Sequence, residues 1–150
     1  SLVNRLSVSG AKGVVMFNRF YEPDIDIEAL KVTSASVFSS AADIKNTLRW
    51  VAIVSAKVPG IHISASTGIH NAEGAIKQLL VGATTVQVCS AVYKSGPTII
   101  RKILEDIDFW MAGKGFSKIG DFRAALNYST VPDPQLYERA QFMKYFSSLE

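Results

Sequence analysis

The stretch Ile61 to Pro97, IHISASTGIHNAEGAIKQLLVGATTVQVCSAVYKSGP, limits what this chain can fold into more than any other. A short apolar run (Ile61, Ile63, Ala65) stops at Ser66-Thr67-Gly68. Ala75, Ile76, Leu79, Leu80 and Ala83 then recur at the i, i+3, i+4 spacing of a helix face. A second short run, Val86 to Val88, is closed by Cys89-Ser90. Strand, helix, strand is a βαβ unit, and such units build parallel sheets. Both predicted strands end in small, hydroxyl-bearing or glycine positions. In a parallel α/β protein ligands sit beyond the carboxyl ends of the strands, where backbone N–H groups can face a phosphate.

The flanking sequence extends the same pattern. Leu2, Val3 and Leu6 read as the end of an amphipathic helix, stopped at Ser9-Gly10-Ala11-Lys12-Gly13. A natural domain rarely begins inside a helix, so Ser1 is expected to be a cut end of a longer protein. Val14 to Phe17 is the continuous apolar run of a fully buried strand, ending at Asn18. Arg19 to Ile27 is polar and turn-like, and loose alternation from Ala29 to Phe38 suggests a small hairpin or extended excursion. Ser39-Ser40-Ala41-Ala42-Asp43 is a helix-start cluster, and Ile44, Leu48, Val51 and Ala52 mark the inner face of a helix that Pro59-Gly60 stops. After the central unit, Gly96-Pro97 opens a helix whose inner face is Ile99, Ile100, Ile103, Leu104, Ile107, Trp110 and Met111, ended by Gly113 and Gly115. Phe116 to Leu126 reads as a connection with a helical turn. Pro132-Asp133-Pro134 starts a last helix with Leu136, Ala140 and Met143 on one face. Three βα units in succession fit an open doubly wound sheet or part of a (β/α)₈ barrel.

Composition removes several function classes. A net charge of +3 spread over 150 residues is too mild and too dispersed for a nucleic-acid surface. The single cysteine, Cys89, excludes an intrachain disulfide and fits a reducing compartment. With only His62 and His70 beside it, no metal-ligand spacing is present. No apolar run approaches the roughly 20 residues of a membrane span, and no signal peptide is visible. The glycine patterns of dinucleotide folds and P-loops are absent.

Each candidate residue has an ordinary reading beside the functional one. Ser66-Thr67-Gly68 could cradle a phosphate, or could be a plain βα turn. Cys89-Ser90 occupies the corresponding place one unit later, and the pairing of the two loops carries more weight than either alone. Cys89 as a nucleophile needs a base; His62 is expected at the opposite strand end, and nothing in the spacing brings His70 into contact. A small buried residue at a strand end is the expected role of Cys89. Asn18 could hydrogen-bond a planar polar ligand or cap the following turn.

Gly82-Ala83-x-x-Val86-Gln87-Val88-x-Ser90-Ala91, followed by Gly96-Pro97 and Trp110-Met111, resembles the carboxyl-terminal part of dihydroorotate dehydrogenases. The resemblance runs from about Ala11 to Arg123, through Gly13-Val14-Val15-Met16-Phe17-Asn18, Ser66-Thr67-Gly68-Ile69, Gly115-Phe116 and Ile119-Gly120-Asp121-Phe122. It implies a partial (β/α)₈ TIM barrel, about strands 6–8 with their helices, over residues 1–126; residues 127–150 have no counterpart in it and read from their own pattern as a helical tail. It implies FMN as cofactor, with backbone N–H groups of Thr67, Gly68, Cys89 and Ser90, and the pair Ser39 and Ser40, at its phosphate. Asn18 matches an asparagine that bonds the pyrimidine ring of dihydroorotate or a related dihydropyrimidine. The excursion from Pro23 to Phe38 matches an insertion of the family.

The sequence departs from the family at three places. Thr67-Gly68 stands for Gly-Gly, Cys89-Ser90 for Gly-Thr or similar, and Ser39-Ser40 for a pair that is commonly glycine. The family's catalytic base and flavin-contacting lysines come from the first five units and have no match here. A barrel takes about 250 residues, so the resemblance implies a chain that is not catalytic alone and pairs with an amino-terminal half. It further implies a cytoplasmic homodimer. Two other readings remain open: a non-catalytic half-barrel that has lost the flavin and serves assembly, and a different phosphate-binding barrel acting on sugar phosphates.

Overall fold

Three short parallel strands form the centre of the fold, each completed by a helix laid against one face of the sheet. The computed structural model describes residues 2–18 and 22–138. Helix α1 (Leu2–Val8) closes at Gly10, whose φ of +99° is open to a residue without Cβ. Strand β1 (Gly13–Met16) follows, then a hairpin of β2 (Pro23–Asp26) and β3 (Lys31–Ser34). A 3₁₀ turn (Ala41–Asp43) leads into α2 (Ile44–Lys57), and β4 (His62–Ala65) and α3 (Ala72–Leu80) complete the next unit. Strand β5 (Thr85–Val86), α4 (Ser90–Ser95) and α5 (Thr98–Lys114) make the third, before a 3₁₀ turn at Ile119–Asp121 and α6 (Gln135–Glu138).

The sheet order is β1-β4-β5, all parallel. Gly13 stands beside His62 and Met16 beside Ala65; Ser64 then stands beside Thr85 and Ala65 beside Val86. Alternation along each strand assigns the two faces. Met16, Ile63 and Ala65 point into the core against Val51, Ala52, Ala75, Leu79 and Ala83. Burying each such aliphatic side chain contributes about 1.5–3 kcal/mol for the larger ones. Val15, Ser64 and Thr85 form a row on the other face, where Val15 is 57% exposed. Trp110, Phe116 and Phe122 close one end of the core, with ring centroids 5.0 to 5.7 Å apart. Gln78 is an exception to good core chemistry: it is fully buried, and its amide finds no partner among the described residues.

Several expectations need correction. The run Val14–Phe17 is not a fully buried strand, because among the described residues β1 pairs on one side only and the face bearing Val15 is open. Ile100 and Leu104 are exposed, so the inner face of α5 narrows to Ile103, Ile107 and Met111, flanked by Ile99 and Trp110. Gly113 lies within α5; Gly115, at φ +76°, ends it, with the N–H of Phe116 on the carbonyl of Met111 at 2.9 Å. Helix α4 was not expected at all. Pro23–Asp26, read as a turn, is the first strand of the hairpin, and its partner is Lys31–Ser34 rather than a segment reaching Phe38. The turn between them is organised by Asp26, whose Oδ1 accepts from the N–H of Ala29 at 2.8 Å.

The chain after Leu126 lies back on α2. Tyr128 donates its N–H to the carbonyl of Ala52, and Arg49 donates to the carbonyls of Tyr137 and Glu138 at 2.6 and 2.9 Å. Of the expected last helix, Leu136 falls in α6, while Ala140 and Met143 lie outside the described residues. Among the described residues no helix is long and apolar enough to cross a membrane, and no cluster of metal-ligating side chains occurs.

Candidate functional site

Parallel strands bring their carboxyl ends to one side, and the loops there gather residues far apart in sequence. A cavity of about 140 Å³ lies at that side, lined by Asn18, Ser39, Thr67, Gly68, Cys89 and Ser90, with Val37, Ser66, Ile69 and Gln87 completing the wall. Six of the seven residues singled out from the sequence therefore meet around one space. Ser40 is the seventh, and it does not line the cavity; its N–H and hydroxyl both bond Asp43 Oδ2, at 2.7 and 3.3 Å, as the cap of the 3₁₀ turn.

The donors at this cavity differ in what they are free to do. The N–H groups of Thr67, Gly68 and Cys89 have no acceptor among the described residues. That of Ser39 is taken by Ser90 Oγ at 3.0 Å. Backbone conformation explains why the loop after β4 turns as it does. Gly68 has φ +82°, and a Cβ on it would sit 2.3 Å from the backbone nitrogen of Ile44, so only glycine lets this loop lie against the start of α2. Thr67 also has a positive φ, +76°, which is costly for a β-branched residue. Its Oγ1 donates to the carbonyl of Phe17 at 2.8 Å, tying this loop to the end of β1.

No Asp, Glu, Lys or Arg lines the small cavity. Its polar wall is made of neutral donors and hydroxyls, which suits an anion better than a cation. The volume is below the roughly 300 Å³ at which whole-ligand pockets begin, so it takes a headgroup, not a complete cofactor. A larger cleft of about 530 Å³ adjoins it, sharing Asn18 and Thr67 and lined also by Phe17, Glu22, Asp43, Lys45, Asn46 and Trp50. Its two carboxylates make it the less suitable place for a phosphate.

Cys89 is exposed, not buried as its sequence context suggested, because β5 ends at Val86 and the chain has left the core by Cys89. Neither histidine is hydrogen-bonded to it among the described residues. His62 opens β4 at the far end of the sheet, as expected. His70 is the residue that sequence reasoning left aside: its Nε2 lies 3.1 Å from Ser39 Oγ, which in turn lies 3.1 Å from Ser90 Oγ. No spacing rule links positions 31 and 51 residues apart; only the closure of three loops does.

A parallel sheet with a helix after each strand, and loops gathered at the strand ends, defines an α/β protein whose ligand site lies beyond the carboxyl ends of its strands. The fold agrees with two solved DHODH structures from Eimeria tenella, one in complex with ferulenol and one ligand-free. Their TM-scores are 0.64 and 0.65 at 19% and 17% identity, covering 79% and 81% of this chain and 32% and 34% of theirs. In sequence the chain is similar to putative dihydroorotate dehydrogenases A (fumarate) of Streptococcus agalactiae, at 37% identity over 70 residues, and of Streptococcus pyogenes, at 33%. Those matches cover 47% of this chain and only 23% and 22% of the relatives' length. The family profile of dihydroorotate dehydrogenase matches residues 3–111. The chain belongs to the dihydroorotate dehydrogenase family.

Proposed function

We propose that this chain is the phosphate-holding, carboxyl-terminal part of an FMN-dependent oxidoreductase that converts dihydroorotate to orotate in pyrimidine synthesis. The observation that carries the reading is the convergence of Asn18, Ser39, Thr67, Gly68, Cys89 and Ser90 on one headgroup-sized cavity free of carboxylates. FMN, when bound, supplies the hydride acceptor. The residues of this chain bind and orient. Free N–H groups of Thr67, Gly68 and Cys89 hold the phosphate, and replacing glycine by Thr67 or Cys89 leaves such donors intact. Asn18 sits at the end of β1 on both cavities and offers a donor and an acceptor to a planar dihydropyrimidine.

On this reading the chain is not catalytic alone. The general base and the flavin-contacting lysines belong to an amino-terminal half that pairs along β1, in a cytoplasmic homodimer. Residues 1–126 form the barrel part and 127–150 the tail, of which Tyr128, Tyr137 and Glu138 bond to α2. The test is titration of the purified chain with FMN, read by flavin fluorescence and thermal unfolding. Saturable quenching with a raised melting temperature is expected. A folded chain that binds no FMN, alone or with the amino-terminal half added, would instead mark a half-barrel that has lost the cofactor.

A further inference from the structure

Three loops meet at one hydrogen-bonded chain: His70 Nε2, Ser39 Oγ and Ser90 Oγ, each 3.1 Å from the next. Ser39 is buried, and Ser90 lines the cavity while His70 does not. A hydroxyl has one proton to give and two lone pairs. The Ser39 N–H, which can only donate, already occupies one lone pair of Ser90 Oγ at 3.0 Å. If Ser39 Oγ also donates to Ser90, both lone pairs of Ser90 are filled and its own proton must point elsewhere, into the cavity. Ser39, having given its proton, must then accept from His70, so Nε2 carries hydrogen. The reverse order ends with Nε2 as acceptor and leaves Ser90 facing the cavity with a lone pair. The protonation of one ring nitrogen outside the cavity thus decides whether Ser90 meets a ligand as donor or acceptor.

We infer that His70 is a positioning residue for the anion site, acting through Ser39 to make the Ser90 hydroxyl a donor to a phosphate group. This rests on the phosphate reading above and adds to it the group that sets the polarity of the site. Binding of the anion and hydrogen on Nε2 are linked: the anion selects the outward order, and the outward order requires Nε2–H. The family sequence pattern at Ser39 and Ser90 concerns backbone donors; the relay depends on side chains that this chain places there.

The chain has two histidines, so the inference can be read directly. Chain labelled with ¹⁵N-histidine is titrated with FMN, riboflavin and inorganic phosphate at one fixed pH. FMN and phosphate are expected to move the His70 nitrogens to the Nε2–H form; riboflavin, which lacks the phosphate, is not. His62, at the far end of β4, should stay still throughout. His70→Gln, whose amide N–H reaches the Nε2 position, should hold FMN within about twofold of the parent, and His70→Leu should weaken it on the order of tenfold. Saturating FMN with His70 unmoved overturns the inference and leaves the flavin reading standing. Phosphate moving His70 without any FMN binding supports the relay and overturns the flavin reading. No binding of either overturns both.

Discussion

Gly68 shows how a single residue sets the geometry of the loop on which the site depends. Two requirements fall on it together: a φ of +82°, and a gap in which a Cβ would lie 2.3 Å from the Ile44 nitrogen and 2.7 Å from its Cα. The obstructing atoms are backbone at the start of α2, so no rotamer change can relieve the clash. Gly68→Ala is expected to cost about 2–5 kcal/mol, adding the penalty of the left-handed conformation to that of overpacking. Urea unfolding measures it as a lowered midpoint with an unchanged slope. Gly10→Ala is the control, since its φ is also positive but nothing lies within 4 Å of its Cβ position; it should lose only the conformational part. Equal losses in the two would show that the packing against Ile44 contributes nothing. Thr67, next to Gly68, also has a positive φ, and its hydroxyl bond to the Phe17 carbonyl ties the strained loop to the end of β1.

Among elements, the return of the tail onto α2 gives a pH-dependent contact. Tyr128 donates its hydroxyl to Glu138 at 2.6 Å, and Lys57 lies 3.4 Å from the same oxygen and over the Tyr128 ring. The Tyr128 hydroxyl first, and Lys57 after it, hold the Glu138 carboxyl below its ordinary value of 4.5, while the hydrogen bond to Glu138 raises Tyr128. A carboxyl lowered in the folded state contributes stability that is present above its unfolded pKa and lost as pH falls through the folded one. The parent should therefore exceed Glu138→Gln in unfolding midpoint at neutral pH, with the two curves converging below the ordinary carboxyl value. The difference is small because the pair is half-exposed. A gap that persists unchanged into acid would mean the Glu138 charge plays no part.

Elements also show what was legible in the sequence. Long periodic segments (Ile44 to Lys57, Ala72 to Leu80) and the glycine and proline stops around them announced α2, α3 and the βαβ unit, because burial imposes the period. Helix α4 gave no such signal: it has six residues, and only Ala91 is buried. The strand Pro23–Asp26 was hidden by Pro and Asp, which an isolated hairpin tolerates and a central strand does not. The continuous apolar run Val14 to Phe17 predicts a fully buried strand, but β1 pairs with β4 alone among the described residues and Val15 is exposed. At the site, strand-end position pointed to Asn18, Thr67, Gly68, Cys89 and Ser90, and the family resemblance to Ser39; all six line one cavity. His70 escaped because a side-chain contact between loops has no period.

At the scale of the whole molecule the open sheet dominates. Strand β1 hydrogen-bonds β4 alone, and the strand order stops at β5, so both edges of the sheet lack neighbours among the described residues. Among the described residues the row Val15, Ser64 and Thr85 has nothing packed on it that would keep Val15 from solvent. Closed barrels have no edges, whereas an exposed strand edge is a template for pairing with another chain. The purified chain is therefore expected to self-associate with rising concentration in sedimentation velocity. Val15→Lys should shift it toward monomer, since a charge on an edge strand opposes pairing, and should leave the melting temperature of the dilute protein little changed because Val15 is half-exposed there. On the proposed reading, an added amino-terminal half should suppress association of the parent and raise its melting temperature, as burial of β1 replaces one partner by another. A monomer at every concentration, with a sharp unfolding transition, would mean that β1 is satisfied without a second chain and that the barrel reading of its exposed face is wrong.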